Sequence, residues 1–258
     1  MYKNSIISPK SNIDTSVEIG PFCIIEDNVS IDKNCKIHSH VIIKSGTSIG
    51  QDCEIFSGAV LGEVPQDLKY NNEETKLKIG KNNIIREYVT IHKATADRKI
   101  TEIGNNCMLM AYSHIAHDSI IKNNVILSNG VQVGGHVDID DFAILGGGTL
   151  VHQFCHIGKH VMLSGGALVN KDIPPYVKAG RDPISYIGIN SIGLRRRFYP
   201  PEKIQEIQEL YRIIYLKGMN NSQAVNYIEA EVKVSKERDE IISFIQDSKR
   251  GIMKGYFK

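Results

Sequence analysis

The hydrophobic positions of this chain recur with a period of six residues. Stepping by six from Ile7 to Val169, 25 of the 28 positions are Ile, Leu or Val. Such a period fits neither an α-helix, which repeats about every 3.6 residues, nor a strand that alternates between two faces. It fits a coil of short flat sides, each of which contributes one inward aliphatic side chain and then turns. The pattern therefore predicts a repeat fold in which stacked coils form a prism.

A second, mostly small position follows each aliphatic by four residues, and small side chains there would let the chain turn over a narrow interior. All five cysteines occupy it, namely Cys23, Cys35, Cys53, Cys107 and Cys155. Their regular placement and odd number indicate buried, reduced thiols that serve packing. They favour neither disulfides nor a zinc site, and they suit a reducing compartment.

Hexapeptide repeats of this kind resemble those of the left-handed parallel β-helix. The resemblance implies three sides, and therefore three hexapeptides in each coil. The pattern fails at Asp67, Glu73 and Asp97, within two blocks that are rich in Pro, Asn and charge. Because the period returns in phase after each block, both blocks occupy whole repeats and are predicted to project as loops.

After Val169 the repeat gives way to a Pro-rich exit, and helical spacing begins at Pro201. Gly218 is a predicted stop, Ser222 a predicted cap of a second helix, and Ile241 part of a last one. The predicted fold is mainly β with a C-terminal α part. The predicted domains are residues 1–175, a β-helix with insertions near 62–76 and 92–102, and residues 176–258, a linker and a small helical domain.

Composition narrows the class of protein further. With 258 residues, of which 41% are hydrophobic and 23% charged, the chain can bury one sizeable core or two modest ones. No apolar run approaches the roughly 20 residues of a membrane helix, and the first residues lack signal-peptide character, so a cytoplasmic protein is expected. The formal charge of +2 does not require nucleic acid as a partner. Residues 176–258 carry +5, which indicates either an acidic partner or a solvated basic face.

Candidate chemistry centres on the sequence HIAHD, which contains His114, His117 and Asp118. Moving forward by one coil of three hexapeptides predicts that His117 lies beside Gly135 and that Asp118 lies beside His136. A histidine acts as a general base when a carboxylate fixes its second ring nitrogen, as Asp118 would for His117. The Gly135 N–H could then approach an oxyanion. The alternatives are solvated polar side chains on a repeat and a glycine that only marks a corner.

A metal site is the other chemical interpretation of these histidines. Hexapeptide-repeat proteins include trimeric carbonic anhydrases, in which three histidines bind zinc, and His114 and His117 could contribute to such a site together with a neighbouring chain. That family's ligand pair, however, resembles two histidines separated by four residues, whereas HIAHD has two between them. The sequence therefore favours a site without metal.

Longer motifs resemble one acyltransferase family along the full chain. They are IGPFC (19–23), GEVPQDLKY (62–70), VTIHK (89–93), HIAHD (114–118), GGHV (134–137), DDFAILGG (140–147), VHQFC (151–155), DIPPYV (172–177) and GLRRRF (193–198). Together these segments resemble the UDP-N-acetylglucosamine acyltransferases that open lipid A biosynthesis. The hexads alone are shared by many acyltransferases, so the specific signal comes from QDLKY, HIAHD and VHQFC.

The resemblance implies transfer of a 3-hydroxyacyl group from acyl carrier protein to the glucosamine 3-hydroxyl of UDP-N-acetylglucosamine. It implies a homotrimer with sites between subunits, and no cofactor beyond the phosphopantetheine of the carrier protein. By the same resemblance His117 is the general base, Asp118 orients it, and Gly135 supplies an oxyanion N–H. The implied substrate-binding residues are Gln66, Asp67, Lys69, His92, His114, His136, His152, Gln153, Asn190, Arg196 and Arg197.

Departures from the family pattern bear on substrate choice. The familiar GEPT reads NEET at 72–75, the loop after His92 differs, and the usual GN after the Pro-Pro-Tyr turn reads Gly180-Arg181-Asp182. Gly165 matches the position that limits acyl length, and a glycine there implies a long acyl chain. The rival functions are the later N-acyltransferase of the pathway, a coenzyme A-dependent transferase, the same reaction on a 3-amino sugar, and a purely structural β-helix.

Overall fold

The computed structural model describes residues 4–255, and short strands there stack coil upon coil into three sheets, here called face A, face B and face C. Face A contains Ile6–Ile7, Ile24–Ile25, Ile42–Ile43, Val60–Glu63, Thr90–His92, His114–Ile115, Gln132–Val133, Leu150–Val151 and Leu168–Val169. Face B contains Asn12–Ile13, Ser30–Ile31, Thr47–Ile49, Lys76–Ile79, Ile100–Ile103, Ile120–Ile121, Asp138–Ile139 and His156–Ile157. Face C contains Glu18–Ile19, Lys36–Ile37, Glu54–Ile55, Ile84–Ile85, Met108–Leu109, Ile126–Leu127, Ile144–Leu145, Met162–Leu163, Val177–Gly180 and Ser185–Ile189. All strand pairs are parallel except the last pair of face C.

The period-six aliphatic residues fill the interior of this prism, as predicted. Ile43, Ile85 and Leu127 are fully buried, and each stacks on the equivalent residue of a neighbouring coil. Ile7 and Ile13 in the first coil are only partly buried because no further coil covers them. Burial of one such side chain is worth about 1.5–3 kcal/mol, so the stacked ladders account for most of the stability of the prism.

The chain turns at three corners, named here A/B, B/C and C/A after the faces they join. At most corners a residue in the left-handed region makes the turn, such as Asn34 (φ 59°) and Asp118 (φ 58°). Asn and Asp adopt this region most readily of the residues with a side chain. The small position comes directly after this turning residue: Cys35 is buried inside the corner, where the narrow interior requires a small side chain. All five cysteines are buried free thiols.

Both insertions leave the prism and return in register. Successive coils are 18 residues apart until the first insertion, residues 64–75, where the neighbouring residues are 30 apart. Across the second insertion, residues 93–99, they are 24 apart. The two insertions thus replace whole repeats, as the phase of the sequence predicted. Both leave from strands of face A and return to strands of face B, so they project at the A/B corner.

The C-terminal part comprises helices α1 (Ser191–Arg196), α2 (Pro201–Leu216), α3 (Asn221–Glu231) and α4 (Lys236–Asp247). Its link to the prism is Val177–Gly180, which extends face C. The Tyr211 hydroxyl of α2 donates to the Pro175 carbonyl at 2.6 Å. In α4, Glu240 accepts from Lys159 and Tyr176. The helices therefore pack on the last coil.

The helix ends follow local sequence with one exception. Gly218, in the left-handed region, follows the end of α2 as predicted. Ser222 does not cap α3; the Asn220 side chain accepts from the Gln223 N–H, and the Gln223 side chain accepts from the Asn220 N–H. This reciprocal pair satisfies two free N–H groups, which Ser222 inside the first turn cannot do. Among residues 4–255, no helix has the length and apolar character that crossing a bilayer requires.

Candidate active site

The central group of candidate residues lies on the A/B corner of three successive coils. The His136 N–H donates to the His117 carbonyl at 3.0 Å, and the Phe154 N–H donates to the Gly135 carbonyl at 3.0 Å. The His117 and His136 rings meet edge to face at 5.3 Å, and the His136 ring stacks on Phe154 at 4.6 Å. His136 Nε2 lies 3.7 Å from Asp118 Oδ2. The predicted adjacency of His117 with Gly135 and of Asp118 with His136 is confirmed.

His117 and Asp118 form a hydrogen-bonded pair. His117 Nδ1 lies 2.7 Å from Asp118 Oδ2, and the carboxylate is fully buried. Burial by itself opposes ionisation of Asp118, but hydrogen bonds from His117, Thr95 and Arg98 outweigh it and lower its pKa to about 2. An ionised carboxylate accepts the Nδ1 proton and leaves the imidazole lone pair on Nε2. The pair therefore has the tautomer that a general base requires.

Gly135 lies against the Cε1–Nε2 edge of the His117 ring. A Cβ at position 135 would be 2.8 Å from both Cε1 and Nε2 of His117, so only glycine permits this close approach. Within residues 4–255, no backbone acceptor takes the Gly135 N–H. An unpaired N–H next to a basic nitrogen is the arrangement that a tetrahedral oxyanion needs.

A cleft of about 780 Å³ opens in front of this pair. The first insertion forms one wall through Gln66, Asp67 and Lys69, and the opposite wall includes His136 and Gln153. The Lys69 N–H donates to the Asp67 carboxylate at 2.9 Å, which fixes the turn of the wall. Five of the predicted substrate-binding residues thus line one cleft with His117.

A second, largely apolar groove of about 450 Å³ lies on face A, with His114 at one end and His152 beside Leu150 and Leu168. His114 Nδ1 lies 2.7 Å from the Thr90 hydroxyl, with which it shares a hydrogen bond. The His114 ring also meets the buried His92 ring edge to face, with 4.7 Å between the ring centres. Burial lowers the pKa of His114, and burial together with the neighbouring His114 lowers the pKa of His92 to about 4. Both rings are therefore uncharged near neutral pH.

The remaining predicted residues lie on other corners. Asn190 at the B/C corner caps α1 by accepting from the Gly193 N–H, and its amide donates to the His160 carbonyl at 2.9 Å. The Arg197 guanidinium lies 5.1 Å above the Phe142 ring, and Arg196 is exposed.

Gly165 lies next to the C/A corner, where an added Cβ would be 3.2 Å from the Gly147 carbonyl oxygen. A single chain therefore brings His117 together with part of the predicted set only.

Sequence reasoning missed two residues that contact Asp118. The Thr95 hydroxyl donates to Asp118 Oδ2 at 2.7 Å, and the Arg98 N–H donates to Oδ1 at 3.1 Å. Both belong to the second insertion, which the sequence treated only as a loop. The coil that contains this insertion is one hexapeptide longer than an uninterrupted coil. Counting back by this longer coil from Asp118 would have pointed to position 94 and so to this segment.

His117, Asp118 and His136 place potential ligand atoms within 4.8 Å of one another. The Asp118 oxygens, however, already accept from the Thr95 N–H and hydroxyl, the Arg98 N–H and His117. His114, the other candidate ligand, bonds to Thr90. The hydrogen bonds therefore fix the Asp118 carboxylate and, through it, the His117 ring.

A three-faced parallel β-helix with a carboxylate-oriented histidine beside an open backbone N–H defines the class of hexapeptide-repeat acyltransferases. Comparison with known proteins agrees with this class. Residues 100–135 match the model of the bacterial transferase hexapeptide family, and residues 172–253 match that of UDP-N-acetylglucosamine O-acyltransferase domain 2.

The chain is 45% identical to the acyl-[acyl-carrier-protein]–UDP-N-acetylglucosamine O-acyltransferase of Herminiimonas arsenicoxydans, over 98% of this chain and 99% of that protein. It is 47% identical to the solved UDP-N-acetylglucosamine acyltransferase of Bacteroides fragilis, with a TM-score of 0.96 over 98% of this chain and 100% of that one. It is 40% identical to the solved Francisella novicida UDP-N-acetylglucosamine acyltransferase, with a TM-score of 0.95 over 98% of this chain and 93% of that one. The chain belongs to the UDP-N-acetylglucosamine O-acyltransferase family. Both the predicted resemblance and the predicted fold, a left-handed β-helix followed by a helical domain, are confirmed.

Proposed function

We propose that this protein transfers a 3-hydroxyacyl group from acyl carrier protein to the 3-hydroxyl of UDP-N-acetylglucosamine, the first step of lipid A biosynthesis, with His117 as the general base. The names of its relatives give acyl carrier protein as the donor and UDP-N-acetylglucosamine as the acceptor. The observation that carries the mechanism is the His117 ring, held at Nδ1 by Asp118 and placed against Gly135.

In this mechanism His117 Nε2 takes the proton of the sugar hydroxyl as its oxygen attacks the thioester carbonyl carbon. The new C–O bond forms while the carbonyl π electrons move to oxygen, and the Gly135 N–H donates to that oxyanion. Collapse of the tetrahedral intermediate breaks the C–S bond, and the leaving thiolate takes the proton from His117. Asp118 stays ionised throughout and stabilises the transient imidazolium.

The cleft and the groove divide the two substrates between them. Lys69 carries the positive charge that a diphosphate pairs with, while Gln66, Asp67, His136 and Gln153 offer hydrogen-bonding groups for a nucleotide sugar. The apolar face-A groove begins at His114 and suits the acyl chain. His92 and His114, uncharged near neutral pH, add no charge at its mouth, and His152 stands at its polar edge.

The outward surfaces of the prism support a trimer. Face A exposes Ile24, Leu150 and Leu168, with Leu150 47% exposed. Face C presents a second apolar row, Ile84, Met108, Ile126, Ile144 and Met162. Face B presents polar side chains such as Lys78, Glu102 and Asp138. Two apolar faces that meet at one edge close a threefold ring when face A of each copy packs on face C of the next.

This arrangement completes the site. With the C/A corners at the threefold axis, the A/B corner of one copy meets the B/C corner of its neighbour. The neighbour then brings Asn190, Arg196 and Arg197 to the cleft that holds His117. The two arginines add positive charge for the diphosphate. A trimer therefore unites the residues that a single chain keeps apart.

Gly165 favours a long acyl chain, because the resemblance assigns its position to the limit of acyl length and a glycine there adds no side chain. The reaction needs no bound cofactor, since the thioester is already activated and the phosphopantetheine arrives with its carrier. The five free cysteines suit a reducing, cytoplasmic location. The basic C-terminal part, with +5 over residues 176–258, offers a docking surface for an acidic carrier protein.

The test is to incubate the purified protein with UDP-N-acetylglucosamine and a mixture of 3-hydroxyacyl carrier proteins of different chain lengths, and to read product masses. We expect one product that gains a single long 3-hydroxyacyl group, with no product from the matching coenzyme A thioesters. Product from coenzyme A donors alone, or from a 3-amino sugar alone, would contradict the proposed donor or acceptor.

A further inference from the structure

The carboxylate of Asp118 is held by an insertion that interrupts the repeat. Residues 93–99 leave the coil directly below Asp118 and wrap around its side chain. The Thr95 N–H lies 3.2 and 3.1 Å from Oδ1 and Oδ2, the Thr95 hydroxyl donates to Oδ2 at 2.7 Å, and the Arg98 N–H donates to Oδ1 at 3.1 Å. The insertion thus supplies every donor to this carboxylate except His117.

We propose that residues 93–99 act as a carboxylate clamp and that Thr95 is its positioning residue, which sets the orientation of the His117 base through Asp118. The proposal rests on the proposed function, because it assigns a role in aiming the same base. Thr95 lies in the lining of the cleft, but its hydroxyl donates to Asp118, so in this mechanism it acts through Asp118 and not on the reacting atoms.

The geometry at Oδ2 distinguishes positioning from simple packing. The Thr95 hydroxyl and His117 Nδ1 both bond to this oxygen, each at 2.7 Å. A carboxylate oxygen has two lone pairs in its plane, so the donor that occupies one of them fixes the direction of the other. With Thr95 on one lone pair, the second faces His117. Without that hydroxyl, only the longer backbone N–H bonds of Thr95 and Arg98, at 3.1–3.2 Å, restrain the carboxylate about its Cβ–Cγ bond, and the direction of Oδ2 towards the imidazole is less firmly fixed.

The clamp itself is anchored on two sides. The Arg98 guanidinium donates to the Asp118 carbonyl at 3.0 Å and to Asp138 of the next coil at 2.6 and 3.1 Å. On the other side, the Ala96 N–H donates to Glu73 at 3.1 Å, and Glu73 also accepts from the Asn71 N–H at 2.7 Å. Glu73 belongs to the first insertion, the wall of the cleft. The clamp therefore links the cleft wall to the catalytic pair.

The experiment compares Thr95→Val, which removes the hydroxyl at nearly constant shape, with Thr95→Ser, which keeps it. Each is made in the wild type and in Asp118→Asn, whose amide also tolerates the left-handed backbone of position 118. We expect Thr95→Val to lower kcat about tenfold with KM for both substrates within about twofold, and Thr95→Ser to restore kcat. In the Asp118→Asn background Thr95→Val is expected to cost less than about twofold, because the partner it acts through is gone.

A second measurement is independent of activity. In ¹⁵N-histidine NMR spectra, the hydrogen-bonded Nδ1 proton of His117, assigned by its loss in His117→Ala, is expected to broaden in Thr95→Val and to stay sharp in Thr95→Ser. An unchanged resonance, or an equal loss of kcat in both backgrounds, would overturn the clamp. If the wild-type protein transfers no acyl group, the proposed function fails while the NMR comparison still decides the orientation of His117.

Discussion

Replacement of His117 by alanine is expected to lower kcat by at least about a thousandfold. The variant loses the group that takes the proton of the sugar hydroxyl, and no other histidine occupies its place: the His136 ring stands edge-on to it, 5.3 Å away between ring centres. Asp118 remains ionised but is buried behind the missing ring. Steady-state rates with carrier-protein thioesters, read as product mass, measure the effect.

His38→Ala is the matched control for this variant. His38 also faces outward from the prism, bonded to Glu54 at 3.0 Å and stacked on Phe56, but it lies far from the cleft along the coil axis. It follows the face C strand Lys36–Ile37, at the C/A corner that the proposed trimer places on its axis and away from the A/B corner that holds the cleft. Its removal is expected to change kcat by less than about twofold. If His117→Ala and His38→Ala gave similar rates, His117 would be only a polar residue of the repeat.

Gly135→Ala is expected to lower kcat about a hundredfold, the second largest effect. The added methyl group would lie 2.8 Å from Cε1 and Nε2 of His117, so the ring must move away from the substrate. A misplacement of about 1 Å costs on the order of a hundredfold in rate. The φ angle at position 135 is one that residues with a side chain also adopt. The close approach of the His117 ring is therefore what excludes a side chain there.

Thermal unfolding separates this cause from general damage to the fold. Because the methyl group clashes with the imidazole, Gly135→Ala is expected to lower Tm in the wild type and to have little effect in His117→Ala, where the ring is absent. A loss of Tm that is equal in both backgrounds, or a kcat within about threefold of wild type, would show that the ring does not lie against Gly135 in solution.

Sequence periodicity predicted the prism because one aliphatic residue in every six is dictated by the interior of each face. The rule of three hexapeptides per coil then placed His117 beside Gly135, since no insertion separates these coils. The same rule failed for Thr95, because the second insertion adds a fourth hexapeptide to its coil. The burial of Leu77 was also missed, because Leu77 is not one of the positions reached by steps of six from Ile7. It is fully buried where the chain re-enters the coil after the first insertion.

The division of the site between corners lay beyond the reach of the periodic pattern. Arg196 and Arg197 come from the start of the helical part, and their place at the B/C corner depends on how α1 docks beside Phe142 and His160. That docking is set by tertiary contacts such as the Asn190 amide with the His160 carbonyl. Only the three-dimensional arrangement of the faces indicates which corners the proposed trimer would bring together.

Subunit complementation tests the central claim most directly. His117→Ala and the double variant Arg196→Ala, Arg197→Ala are each expected to be nearly inactive, and they are co-expressed with different tags so that mixed trimers can be purified. If the A/B corner of one subunit works with the B/C corner of the next, each purified mixed trimer keeps one intact site of three and yields about a third of the wild-type product from UDP-N-acetylglucosamine and 3-hydroxyacyl carrier protein. Mixed trimers with no more activity than their parents would contradict a site shared between subunits.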